Sequence, residues 1–392
     1  MAELQILADA SIPCVEEAFG ELGTVRKKPG RDIASSDVGA VDVLFVRSVT
    51  PVGPDLLEGT DLQFVGSATI GTDHVDRAYL RRREIPFAHA PGSNADSVAD
   101  YVIVALLSLA RRRGTSLEGR TVGIIGCGNI GGRLAHRLPA LGMTVLRNDP
   151  PLARAAEADG EPHDFVPLNA VLDAADIVTL HVPLKETGPA PTHHLVDASF
   201  LDRLNEGAWL LNTSRGSVVD GEALLEARMR GPVAAAVLDV WENEPSPNPA
   251  LLDAVDVATP HIAGYAYDGK VRGTAMLYKA LCGHLGVKPT WEGTATIQPA
   301  SKGALHCTPP DPRLPPPEWL YNLARQAYDL QVDDTALRAI MERPPEDRPG
   351  AFARLRTGYR RRRELQQHSV SRAAVPDTHR RAVEEGLKIQ LR

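Results

Sequence analysis

Short leucine-rich and β-branched runs alternate with stretches of helical spacing along about the first 290 residues. LQILA at 4–8, VLFV at 43–46 and FVGSA at 64–68 predict strands, and VEEAFGEL at 15–22 predicts the helix after the first of them. NADSVADYVIVALLSLARRR at 94–113 has apolar positions at helical spacing and a basic final turn, which complements the helix dipole. TVGIIG, a helix to Leu141, MTVLR, DIVTL, AWLLN, a helix near 221–227, VAAAVLDV and VDVAT follow in turn. Strands that are almost unbroken apolar runs, separated by helices, imply parallel sheets covered on both faces. The fold class is α/β.

The pattern changes after about Gly293, where a proline cluster at 309–317 makes an extended linker. EWLYNLARQAYDLQ at 318–331 resumes helical spacing, and residues 354–363 include six arginines. The chain is expected to divide into a lid or substrate domain over 1–95, completed by about 263–290, a nucleotide domain over 96–262, and an appended module over 291–392.

Composition narrows the classes further. The 392 residues carry a formal charge of −7, which disfavours nucleic acid as a partner. Cys14, Cys127, Cys282 and Cys307 are scattered, without metal-ligand spacing or a disulfide framework, so no metal is expected and a reducing compartment is. The start has no secretory pattern, and the longest apolar run, at 101–110, is shorter than the roughly 20 residues a membrane span needs. A cytoplasmic protein with no membrane partner is expected.

Candidate chemistry begins at Gly126-Cys127-Gly128-Asn129-Ile130-Gly131, a GxGxxG sequence that closes one apolar strand and opens a helix. In that setting the glycines permit a tight turn, close approach of backbone to a pyrophosphate, and helix–strand packing. The helix amino terminus meets the anion with unpaired amides. Asp149, at the end of the next strand, can bond ribose hydroxyls and repel a 2′-phosphate, which points to NAD. Asp149 also has the makings of a turn residue before Pro150-Pro151, and Arg147 is expected to point away along the strand.

A second constellation lies downstream. LLNTSRGSVVD places Arg215 just after an apolar strand, VLDVWENEP places Asp239 and Glu244 after another, and VATPHIAGY places His261 after a third. The carboxyl ends of parallel strands form the ligand crevice, so these groups are expected to converge. Their types suit oxidation of a 2-hydroxy acid. His261 would take the hydroxyl proton, Glu244 would hold the far ring nitrogen, and Arg215 would grip the carboxylate.

The set GxGxxG, Asp149, SRGSVVD, DVWENEP and PHIAGY resembles the D-isomer-specific 2-hydroxyacid dehydrogenases. LADASIP, FVRSVT, GSATIGTDHVD, APGSN and HIAGYAYDGKVRGT resemble a branch of that family with a phosphorylated substrate. The resemblance implies a Rossmann-type nucleotide domain, a flavodoxin-like lid, both doubly wound, and a small C-terminal α+β domain that makes a homodimer. It assigns catalysis to Arg215, Glu244 and His261. It sets Asp149, Val182, Thr213, Ser214, Arg215, Asp239 and Gly264 against NAD, and Ser48, Thr69 and Tyr265 against substrate. A phosphorylated acid needs cationic donors, for which the candidates are one or two arginines of 354–363, Arg360 and Arg361 first, reaching the partner subunit's cleft, with Arg47 as a further donor of the lid. Two other readings share the trio. One is a dehydrogenase for a different acid such as 3-phosphoglycerate; the other is an NADH-sensing, corepressor-like binding protein.

Overall fold

In the first ninety residues, apolar runs that end on polar turns become parallel strands: β1 (Leu4–Asp9), β3 (Val43–Val46) and β4 (Phe64–Ser67). Two further strands, β2 (Gly23–Lys28) and β5 (Phe87–His89), complete a sheet of order β2-β1-β3-β4-β5 with every pairing parallel. That is the flavodoxin-like order. The computed structural model describes residues 3–293 and 305–392. It divides into two compact units, residues 3–94 with 265–293, and residues 95–264 with 305–392.

Alternation along each strand of the first unit sends side chains to two cores. Leu7, Leu44, Val46 and Val65 pack on one face with Leu57 and Leu80. Ile6, Ala8, Val43, Phe45 and Phe64 pack on the other with Val15 and Phe19. The helix Tyr267–Leu285 returns to this second face with Leu277, Tyr278, Leu281 and Cys282.

The second unit holds β6 (Thr121–Ile125), β7 (Thr144–Asn148), β8 (Ile177–Leu180), β9 (Ala208–Asn212), β10 (Val233–Leu238) and β11 (Val257–Ala258). Their order is β11-β10-β9-β8-β6-β7, all parallel. A single parallel bridge from Arg147 to Phe165 stands beyond β7, where the nucleotide-binding order has its third strand. The order therefore reverses between β6 and β8, a topological switch point.

The helix Ala95–Arg112 is buried on every side from Ser97 to Ala110. An all-apolar helix needs cover all round, and the C-terminal residues provide part of it. The segment expected as an appended module that leans on another part of the chain falls in the second unit. Trp319, Leu320, Leu323 and Ala324 of the helix Pro316–Ala327 are buried, and that helix packs along Ala95–Arg112. Leu337, Ile340 and Phe352 enter the same core as Leu238, Leu252 and Ala258. The remaining C-terminal strands, β12 (Leu305–His306), β13 (His368–Val370) and β14 (Gln390–Leu391), form a small parallel sheet. The helix expected over 318–331 breaks at Tyr328-Asp329, because Asp329 accepts the Gln331 amide and caps a new helix, Leu330–Met341. Among the described residues no helix is long and apolar enough to cross a membrane.

Candidate active site

The three glycines after β6 do different work. Gly126 has φ 88°, and a Cβ there would lie 2.7 Å from the His181 carbonyl. A Cβ on Gly131 would lie 2.0 Å from the Gly126 oxygen, so this glycine lets the helix Asn129–Arg137 close on the loop. Gly128 differs: a Cβ there would meet no protein atom within 4 Å. That side of the loop is open, as close approach of a pyrophosphate to the backbone requires. Asn129 and Ile130 open the helix with their amides at its positive end. Cys127, between Gly126 and Gly128, is a packing residue, since burial pushes its thiol up to about 11.

Asp149 follows β7 and is half-buried. One carboxylate oxygen accepts the Leu152 amide and caps the next helix, and the other accepts the Cys127 amide at 2.8 Å. The residue is thus both the turn aspartate and a brace for the glycine loop. Arg147 turns aside, pairing with Asp164 at 2.5 Å and stacking on Phe165. Val182 follows β8, and its Cγ1 would lie 2.9 Å from a Cβ on Gly126.

Arg215 follows β9 on a turn organised by Asn212, the fully buried last residue of that strand. Asn212 accepts from the Ser214 amide and hydroxyl and donates to the Arg215 carbonyl. The hydroxyl of Thr213 lies 3.3 Å from Nδ1 of His181, and Arg215 itself donates to the Ser214 carbonyl. Packing around His181 pushes its imidazole down, to about 3, so it stays neutral and serves as a hydrogen-bonding post. Asn212 and His181 escaped the sequence reading. Their only signal is a polar residue where an apolar strand run ends.

Glu244 and His261 do meet. Nδ1 of His261 is 2.8 Å from the carboxylate of Glu244, whose other oxygen accepts the Trp241 amide. Burial alone would raise the Glu244 carboxyl. The charge and hydrogen bond of His261, the Trp241 amide and the Arg356 charge outweigh it and hold the group below its ordinary value. With Nδ1 on a carboxylate, the lone pair of the neutral ring is on Nε2. Arg215 is tied to the same place through Gly216, where a Cβ would lie 2.0 Å from the Trp241 carbonyl carbon.

His261 has φ 58°. For a residue with a side chain this left-handed conformation costs about 1–2 kcal/mol, so the loop must be held. Asp239, at the end of β10, does this from one side. Its backbone carbonyl accepts the His261 amide, and its buried carboxylate accepts the Ile262 and Ala263 amides and the Thr259 hydroxyl. Burial pushes the Asp239 carboxyl up, against the His261 charge and these donors. Gly264 ends the loop.

In the first unit, Arg47 and Ser48 follow β3 and Thr69 follows β4, all at strand carboxyl ends. Nε of Arg47 pairs with the buried Asp9 at 2.9 Å. The Thr69 hydroxyl lies 2.7 Å from that of Ser67, and Ser48 is exposed. The ring of Tyr265 carries the Lys270 ammonium 4.5 Å from its centroid. Of the C-terminal arginines, Arg360 is engaged within its own chain by the Asp333 carboxylate and the Asp329 carbonyl. These contacts hold one side of its guanidinium, and both Arg360 and Arg361 are exposed.

The profile of the D-isomer specific 2-hydroxyacid dehydrogenase NAD binding domain matches residues 102–263. A second profile, a domain of unknown function, matches residues 315–382. Erythronate-4-phosphate dehydrogenase of Salinibacter ruber is 72% identical over 391 residues, covering 100% of both chains. That of Azotobacter vinelandii is 47% identical over 362 residues, covering 92% of this chain and 93% of its own. Among solved structures, a D-lactate dehydrogenase of Aquifex aeolicus complexed with NAD and lactic acid gives a TM-score of 0.59 at 25% identity, covering 72% of this chain and 95% of its own. A glycine cradle at the switch point, a carboxylate-held histidine four strands along the same sheet, and similarity along the full length lead to one conclusion: the chain belongs to the erythronate-4-phosphate dehydrogenases, within the D-isomer-specific 2-hydroxyacid dehydrogenase family.

Proposed function

We propose that the chain oxidises 4-phospho-D-erythronate at its 2-hydroxyl, in the route to pyridoxal 5′-phosphate. The products are (R)-3-hydroxy-2-oxo-4-phosphooxybutanoate, NADH and a proton. The observation that carries this reading is 72% identity along the whole chain to an erythronate-4-phosphate dehydrogenase. NAD, when bound, supplies the acceptor for the hydrogen and two electrons that leave C2. Gly126, Gly128, Asn129, Ile130 and Gly131 would receive its pyrophosphate and Asp149 its ribose. Val182, Thr213, Ser214, Arg215, Asp239 and Gly264 would line the rest of its site.

His261 takes the hydroxyl proton on Nε2 while its Nδ1 stays on Glu244. The carboxylate then stabilises the imidazolium that results. Arg215 holds the substrate carboxylate with its planar fork and polarises the C2 oxygen. Ser48, Thr69, Tyr265 and Arg47 are the proposed substrate contacts, with the Arg47 guanidinium aimed at phosphate. We place the enzyme in the cytoplasm as a homodimer joined through its C-terminal residues. Four free thiols support a reducing compartment.

The test is NADH formation, followed by absorbance with a trap for the keto acid, on 4-phospho-D-erythronate, 3-phosphoglycerate and unphosphorylated erythronate. The phosphorylated four-carbon acid should exceed the others in kcat/KM by about 100-fold or more, because the site would leave donors unpaired with the wrong acid. Equal rates on all three would contradict the reading.

A further inference from the structure

The loop that carries His261 is held from two sides, and the second holder comes from the C-terminal segment. Nη2 of Arg362 donates to the Ala263 carbonyl at 2.7 Å and lies 3.4 Å from the Ile262 carbonyl. Asp239 holds the amides of those same two residues from the other side. The Ile262–Ala263 peptide is therefore fixed at both ends, and the peptides on either side of it at one end each. Arg362 is 4% exposed, and its guanidinium carbon lies 3.9 Å from the centre of the Tyr328 ring.

Fold stability is a poor reason for this arrangement. Nε and Nη1 of Arg362 are buried with no hydrogen-bond partner, and no carboxylate lies within ion-pair distance of it among the described residues. The titratable groups around it are Tyr328, Tyr359, Asp100 and Asp333. Burial disfavours the guanidinium and these neighbours favour it, but its two idle donors leave a desolvation cost that nothing offsets. An apolar side chain would fill the space at less cost but would leave the two carbonyls unheld. A second line of contact runs the same way. Tyr328 packs beside Tyr101, whose hydroxyl lies 2.7 Å from Thr259, the partner of Asp239.

We propose that Arg362, from the segment whose profile carries no assigned function, is a positioning residue that keeps the His261 loop in its left-handed conformation with Nδ1 on Glu244. The inference rests on the reading of His261 as the base. It gives the C-terminal segment a part in catalysis separate from any part in assembly.

The experiment uses the full-length enzyme with Arg362→Met, which keeps the stem and loses the donors, and Arg362→Lys, which reaches one carbonyl. In Arg362→Met, kcat should fall about 30-fold or more, as small displacements of a reacting group do. In Arg362→Lys the fall should be smaller, about three- to tenfold. In both, NADH affinity should stay within about twofold, and the acid limb of the kcat–pH profile should move to lower pH as the imidazolium loses its carboxylate partner. Should Arg362→Met fail to fold, Arg362→Lys decides alone. A lysine variant with the parent's kcat and pH profile overturns the proposal, as does a loss of kcat matched by an equal loss of NADH affinity. Were the unaltered enzyme itself inactive on 4-phospho-D-erythronate, the functional reading would fall instead.

Discussion

Nδ1 of His261 and the Glu244 carboxylate stand 2.8 Å apart, brought together from the ends of neighbouring strands β11 and β10. In the proposed reaction this contact would fix Nε2 as the base and provide the counter-charge for the proton it takes up. Glu244→Gln preserves the shape but lets the ring adopt the wrong tautomer. We expect kcat to fall about 100-fold or more, with NADH affinity unchanged and the acid limb at lower pH. Steady-state kinetics across pH, with NADH titration by fluorescence, check it; full turnover in the variant would remove Glu244 from the mechanism.

The proposed role of Arg215 requires its fork, not only its charge. Arg215→Lys keeps the charge and loses the paired donors, so kcat/KM should drop by about 100-fold, roughly 3 kcal/mol of transition-state binding. The coenzyme should bind nearly as before. A lysine variant with the original kcat/KM would show that a point charge suffices.

Asp149 serves a helix and the glycine loop together. Asp149→Ala removes the cap on Leu152, which should lower stability by about 1 kcal/mol. It also releases the Cys127 amide and the charge that repels a 2′-phosphate. Calorimetric titration should show weaker NAD binding and a preference for NAD over NADP reduced by about tenfold, the loss of one charge-assisted contact. An unchanged preference would leave Asp149 a purely structural residue.

Buried Asp100 makes stability depend on pH. Burial pushes its carboxyl up to about 6, with Glu364 adding to the shift and the Arg137 pair opposing it. The folded chain thus holds this proton more tightly than the unfolded chain. The resulting stabilisation is complete below the ordinary value of 3.8 and is lost as pH rises through about 6. Asp100→Asn does not titrate. The stability of the parent relative to this variant should therefore fall by about 2 kcal/mol between pH ~4 and ~7 in urea unfolding. A difference that is flat or grows with pH would contradict this.

Much of this was legible in the order of residues because parallel strands and their polar ends leave a local mark. GxGxxG after TVGII, and Arg215, Glu244 and His261 each just past an apolar run, needed no long-range knowledge to find. Edge strand β2 left no such mark: GTVRKK faces water along much of its length and carries basic side chains instead of an apolar run. Three-residue β5 is too short to show alternation. Asn212 and His181 act by accepting or donating inside a turn, a role that composition does not reveal. Arg362 sits in a run of four arginines, of which Arg360 and Arg361 are exposed. Only the packing of Tyr328 and the His261 loop singles it out. What the C-terminal module leans on was hidden for a similar reason, since the helix 316–327 packs on 95–112 and the helix 330–341 on 249–258, both distant in sequence.

The most direct test of the central claim is turnover by His261→Asn with 4-phospho-D-erythronate and NAD, measured beside NADH binding. The account predicts a kcat reduced about 1,000-fold, within the range for loss of a general base, and NADH affinity close to the parent's. A variant that forms NADH at the parent's rate would contradict it.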